Sequence, residues 1–379
     1  MTTDLPPDIL LFNILPRLPV KSIRRFLCVS RQWQSFLTTP VFAKLQLHHV
    51  TNDDHQNHLK LLLLSYTTPC NFCTIDCETP KDGLTVSRPL PFEDGSRMYI
   101  SILASLHGLI CIKRRRFINE VEDTDLILWN PLTSDYKTLS TPSSDKQCFN
   151  IKYRGRFGLY YTSSDDDYKL LCVTKYPKVY IYSLKSDSWR KVESPKRTSK
   201  RIYFLMPSVL LNEKLYFLKE KQICGEHPSY LIMSFCTKTE KLSEIATPLF
   251  RQQRTERWGI GKERTVCKDF MVLRGSIHFC VAFTDSLGEY STIELWRMNA
   301  DGDWTKMIAY SPLERVFRYE KPLHIMRNGD WLMYREGHVY QRDMKKHTND
   351  IMCRFKDMEI NQRWKYMETL VSPNQYMTK

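Results

Sequence analysis

Three cysteines, Cys70, Cys73 and Cys77, form a C-x2-C-x3-C array downstream of four histidines, His48, His49, His55 and His58. Thiolates and imidazoles are the ligands of tetrahedral zinc, and a closed site needs four, so the fourth would come from the histidine group. The residues between the thiols argue against it. Phe72 and Ile75 make the stretch read as a strand, whose alternation sends Cys70 and Cys73 to opposite faces. The expectation is no metal and no cofactor.

Charged clusters are the next chemistry to weigh. "IKRRRF" (112–117) reads as a charged hairpin tip after the "GLICI" strand, with a nuclear-localisation signal or a phosphate patch as the alternative. "SPKRTSKR" (194–201), "RQQRTERW" (251–258) and "GKERTVCK" (261–268) read as inter-strand loops. Gathered on one rim, they would suit an acidic or phosphorylated ligand. "SSDDD" (163–167) reads as a solvated acidic turn, with a cation site as the alternative. There is no glycine-rich phosphate loop, no GxSxG elbow and no HExxH pair, so no catalytic residue is assigned.

Composition narrows the class. The chain has 379 residues and a net charge of +14, which favours acidic partners, but Asp and Glu are interspersed among the basic residues. No stretch approaches the roughly 18 apolar residues of a membrane span, so no membrane partner is expected. The opening Met1-Thr-Thr-Asp-Leu-Pro-Pro lacks the charged and apolar regions of a signal peptide. The 12 cysteines are scattered through apolar runs, as expected for reduced thiols in the cytoplasm and/or nucleus.

Two kinds of element must position whatever these residues do. Residues 5–48 read as short helices. Pro6-Pro7 and Asp8 suit a helix start, and Ile23, Phe26 and Leu27 recur at i, i+3, i+4. Trp33, Phe36 and Leu37 repeat that spacing, and Thr39-Pro40 starts a further helix with Phe42 and Leu45 inward. A lone core of this size is marginal, so the module needs a partner or a neighbouring domain.

Beyond it, a β-run, a polar turn and a return strand recur about every 50 residues, with anchors at Cys77, Trp129, Tyr182, Phe235, Trp296 and Tyr340. Residues after the turns, Leu84, Tyr136, Trp189, Leu242, Trp304 and His347, are placed to pair back across them. A second hairpin precedes most copies, as in "LASLHGLICI", "VLLNEKLYFL", "VLRGSIHFCV" and "IMRNGDWLMY". Four strands per unit is the blade of a kelch-like propeller, and the anchors argue for about six blades. The apolar strand "HLKLLLLSY" (58–66) and the last β-like run, "METLVSP" (367–373), are placed to close the sheets.

The block "LPRLPVKSIRRFLCVSRQW", preceded by "LPPD" and followed by "TTPVFAKLQL", resembles the F-box of plant proteins. "SLHGLICI", "LWNPLTSDYKTL", "FGLYYTSSDDDYKLL", "VYIYSLKSDSWR" and "METLVSPN" resemble their F-box-associated domain. The resemblance implies a substrate-recognition subunit of a Skp–cullin–F-box ubiquitin ligase. The F-box would dock a Skp-type adaptor, and through it cullin and RING subunits, while the β domain would recruit a target protein for ubiquitination. The alternative is a non-degradative adaptor-bound scaffold or propeller interaction protein. A catalytic or a nucleic-acid-binding propeller would leave the helical module unexplained.

The resemblance further implies adaptor contact or support at Pro6, Ile14, Leu18, Pro19, Val20, Leu27, Val29 and Trp33. Two departures from the pattern predict a tilted or shortened first helix. One is an extra residue between Leu5-Pro6 and Ile14-Leu15; the other is Pro16 at a helical position. The expected fold class is mainly β with a small N-terminal α module: residues 1–48 the F-box, 49–57 a linker, and 58–379 a propeller-like domain of about six four-stranded blades. The target is expected to be acidic or phosphorylated, and nucleic acid is not an expected partner.

Overall fold

The computed structural model describes residues 8–52, 59–65, 70–81, 88–93, 98–118, 121–140, 156–174, 178–192, 203–204, 208–221, 229–247, 264–284, 290–310, 320–335, 338–346, 348–354 and 360–375. The first helix takes two forms. Ile9–Ile14 is a π-helix that ends with the Leu15 amide donating to the Leu10 carbonyl. This five-residue step winds an extra residue into the turn and absorbs the insertion noted in the sequence. Leu15–Arg17 follows as a 3-10 turn with Pro16 at its start, where a missing N–H leaves nothing unpaired. The first helix is thus rewound, with Pro16 marking a junction and not a break.

Three α-helices complete the module: α1 (Val20–Phe26), α2 (Arg31–Leu37) and α3 (Pro40–Thr51). Ser30 Oγ caps α2 by accepting from the Trp33 amide at 3.1 Å, and Thr39 Oγ1 caps α3 by accepting from the Phe42 amide at 3.2 Å. Helix α3 runs through Thr51, into the segment expected as linker; residues 53–57 of that segment lie outside the described residues.

Beyond the helices, the described residues form six antiparallel sheets, each ordered as a meander. The first runs Ile360–Met367, Leu59–Ser65, Asn71–Asp76, Arg88–Pro89; the second runs Met98–Leu106, Leu109–Ile118, Val121–Trp129, Tyr136–Leu139. The third runs Arg156–Thr162, Asp167–Val173, Val179–Ser183, Ser188–Val192. In the fourth, Tyr203–Phe204 and Val209–Leu211 both pair with Lys214–Lys221, followed by Ser229–Cys236 and Leu242–Ala246. The fifth runs Arg264–Leu273, Ser276–Thr284, Tyr290–Met298, Trp304–Tyr310; the sixth runs Lys321–Ile325, Trp331–Arg335, His338–Asp343, Thr348–Arg354. Four-stranded meanders of this kind are propeller blades, so the fold class is mainly β, with short N-terminal helices before them.

The repeat register holds in detail. Trp129, Tyr182, Phe235, Trp296 and Tyr340 each lie on the third strand of their sheet, and Cys77 directly follows the third strand of the first. Trp129 pairs with Tyr136, Tyr182 with Trp189 and Phe235 with Leu242. The fifth and sixth sheets differ. Across the longer turn Trp304 pairs with Met298 and not with Trp296, and Tyr340 faces Ile351. His347 and Leu84 lie outside the described residues. The hairpin turns at His107-Gly108, Asn212-Glu213 and Arg274-Gly275 place both residues at positive φ, the two-residue geometry that matches strand twist.

One strand assignment is corrected. The strand that pairs with Leu59–Ser65 is Ile360–Met367, and the residues after Met367 leave the sheet. They carry too many ties to side chains elsewhere to continue a ladder.

Two compact units divide the chain: Met1–Thr141 with Leu184–Asp187 and Met358–Lys379, and Pro142–Ser183 with Ser188–Asp357. The first holds the helices and the first two sheets. Its β core centres on Trp129, which is fully buried with ring centroids 4.8 Å from Phe72 and 5.9 Å from Phe92. The second unit holds the other four sheets. There Glu320, fully buried, accepts from Arg342 at 2.9 Å and from Arg335 at 3.0 Å. Among the described residues no helix is long and apolar enough to cross a membrane.

Candidate docking surface

The helical module is built around four buried side chains, Leu15, Ile23, Leu37 and Phe42. Around them stand half-buried Leu10, Leu11, Leu18, Phe26, Leu27, Trp33 and Phe36. Ring contacts knit the shell: Phe12 on Phe36 at 5.1 Å, Phe36 on Phe42 at 5.4 Å, Phe26 on Trp33 at 5.6 Å. Short helices with so few buried residues leave apolar surface uncovered. Ile9, Phe12, Ile14, Val29 and Val41 are all exposed, Val29 by 60%. Among the described residues, the six sheets together expose only Phe117, Tyr136, Met307 and Ile351 of this size.

The residues singled out in the sequence divide by orientation. Ile14, Pro19 and Val29 face solvent. Leu18, Leu27 and Trp33 are half-buried against the module's core. Val20 is 1% exposed, so it supports the surface from within. Pro6 lies outside the described residues. Ile9, Phe12 and Val41 are exposed apolar positions that the sequence reading passed over; the i, i+3 spacing of Ile9 and Phe12 was the available signal.

The basic run 112–117 is not a hairpin tip. It lies within strand Leu109–Ile118, opposite the acidic strand Val121–Trp129. Arg114, 7% exposed, forks onto Asp125 at 2.7 and 3.1 Å and donates to the Phe92 carbonyl at 2.7 Å. Arg116 reaches Asp123 at 2.5 Å, and Arg115 lies 5.2 Å over the Tyr99 ring. A run of like charge forms a strand here because the neighbouring strand supplies the acids, and these guanidiniums are committed to protein groups.

The acidic turn is likewise engaged. Tyr161 Oη donates to Asp166 at 2.7 Å, Lys169 to Asp165 at 2.5 Å and Ser183 to Asp167 at 2.6 Å. Asp167 is buried, unlike the solvated turn expected.

Cys70, Cys73 and Cys77 flank or occupy strand Asn71–Asp76, are buried, and carry free thiols. Burial pushes the Cys77 thiol up to about 12 and raises Cys70, with Glu93 adding to the latter. Among the described residues no His, Cys, Asp and Glu side chains are grouped to hold a metal; His55 and His58 lie outside them. The loops 194–201 and 251–258 lie outside them too, as do residues 261–263.

Comparison with known proteins bears on both regions. Residues 66–372 match the F-box associated beta propeller domain, and residues 3–45 match the F-box domain. An F-box protein of Arabidopsis thaliana is 28% identical over 257 residues, 64% of this chain and 60% of that protein. An F-box/kelch-repeat protein of the same plant is 28% identical over 191 residues, 47% of this chain and 49% of its own. The chain thus spans about half to three-fifths of these relatives. A crystal structure of oligogalacturonate lyase from Vibrio parahaemolyticus aligns with a TM-score of 0.39 and 10% identity, over 78% of this chain and 86% of the lyase, a likeness too low to carry an argument.

Proposed function

Because the chain belongs to the family of F-box proteins with an F-box-associated β-propeller domain, we propose that it is the substrate-recognition subunit of a Skp–cullin–F-box ubiquitin ligase. The helical module docks a Skp-type adaptor, which carries the cullin and RING subunits, and the β domain recruits a target for ubiquitination. The protein is a receptor and contributes no catalytic group.

The observation that carries this reading is the concentration of exposed apolar side chains in the module: Ile9, Phe12, Ile14, Val29 and Val41. A small helical unit with such a surface fits a partner that covers it. The net charge of +14 supports an acidic or phosphorylated target. Free thiols throughout the described residues support residence in the cytoplasm or nucleus.

The test is a binding experiment with purified full-length protein and a purified Skp-type adaptor, read by co-elution and calorimetry. A stable complex with the wild type, lost in an Ile14→Asp/Val29→Asp double variant, upholds the reading. Failure of the wild type to bind overturns it. Proteins that co-purify with the complex and become ubiquitinated only in its presence then identify the target.

A further inference from the structure

We infer that Glu368–Ser372, the segment following the last strand, is a strap that completes the core of the docking helices and orients them, so that the C-terminal residues position the F-box for its adaptor. The docking part of this statement rests on the function proposed above; the structural part does not.

The segment alternates between two partners. Leu370 packs into the helical cluster of Leu15, Ile23, Leu37 and Phe42, and its amide donates to the buried Gln46 Oε1 of α3 at 3.4 Å. Its neighbours Thr369 and Val371 are 0% and 1% exposed and are tied to the second sheet. Asn130 Nδ2 donates to both of their carbonyls, at 3.0 and 2.7 Å, while Asn130 Oδ1 accepts from the Leu132 amide at 2.9 Å. Thr369 Oγ1 donates to the His107 carbonyl at 2.7 Å.

Gly108 shows how closely the turn is fitted. Its φ is +83°, and a Cβ there would stand 2.2 Å from Thr369 Oγ1 and 3.0 Å from the Met367 carbonyl. A second tie runs from α1, where Arg24 Nη1 donates to the Leu132 carbonyl at 2.5 Å.

Three sequence words are therefore one joint. "SLHGLICI" supplies the His107-Gly108 turn, "LWNPLTSDYKTL" supplies Asn130, and "METLVSPN" supplies the strap. Asn130 is more than a turn former: it brackets the strap on either side of Leu370. A helical unit too small to hold itself together borrows an apolar side chain from the end of its own chain, and the same segment pins it to a sheet.

Hydrogen exchange on the full-length protein tests this, alongside adaptor binding. Leu370→Asp puts a charge into the helical core. Asn130→Asp keeps the acceptor for Leu132 but removes both donors to the strap. Both variants are expected to raise exchange in α1–α3 by about tenfold or more, with the third to sixth sheets unchanged, and to weaken adaptor binding.

Leu370→Met is expected to restore protection and binding. Val29→Asp, a surface variant, is expected to weaken binding with no change in exchange. Unchanged exchange in α1–α3 for both strap variants overturns the strap, as does a rise that spreads equally to the third to sixth sheets. If the wild type binds no adaptor, the docking reading falls, and exchange alone still upholds or overturns the strap.

Discussion

Phe42 in the helices and Trp129 in the second sheet are both fully buried aromatic side chains, but they sit in cores of different depth. Trp129 belongs to a cluster drawn from both of the first two sheets, including Leu62, Phe72, Phe92, Ile100 and Ile127. Phe42 shares its cluster with three other buried residues, and the remainder of that cluster is half-exposed. Sheets in register bury successive side chains against each other, so depth accumulates with each strand. Three helices of 7, 7 and 12 residues cannot do this. The contrast teaches that the module's exposed apolar surface and its need for Leu370 have one origin: too few residues to close a core.

The largest expected effect breaks this comparison directly. Phe42→Ala and Trp129→Ala should each cost about 3–5 kcal/mol. In the sheets the loss should appear as a lower cooperative melting temperature. In the module the same loss should exceed what the core holds, so exchange protection of α1–α3 and adaptor binding should both disappear. Persistent protection of the helices in Phe42→Ala would refute the contrast in depth.

A variant in the second unit sharpens the comparison from the other side. Glu320→Gln takes the carboxylate from the buried Arg342 and should destabilise the sixth sheet by about 3 kcal/mol. Adaptor affinity, measured by calorimetry, should not change. Surface and core separate next: Val29→Asp should leave the melting temperature within the effect of about 0.5 kcal/mol usual for exposed sites. It should weaken adaptor binding by roughly 2 kcal/mol if Val29 is an anchor.

The smallest effect concerns pH at the joint. Burial lowers the His107 imidazole from 6.5 to about 4. The unfolded chain therefore binds a proton that the folded chain refuses, and stability from this group is lost as pH falls from 6.5 towards 4. Part of the residue stays in contact with solvent, so the loss should be about 1 kcal/mol. His107→Asn suits the positive φ and should flatten that part of the stability–pH curve, measured by denaturant unfolding.

Much of the fold was legible because its determinants are local. Thr39-Pro40 opens the helix it precedes, the turn residues set the hairpins, and the repeat of anchors places each third strand. The docking surface was legible in part. The F-box resemblance marks Val20 and Val29 alike, but only packing shows that Val20 turns in and Val29 turns out.

Non-local pairing decided the remainder. Lys113–Arg116 reads as a charged tip until the acidic strand beside it neutralises Arg114 and Arg116. The strap depends on Leu370 meeting Gln46, 324 residues away, and Asn130 meeting Val371, 241 residues away. A sequence carries the local preferences of each segment. Which distant side chain satisfies a buried amide or fills a gap in a core is settled only when the chain closes on itself.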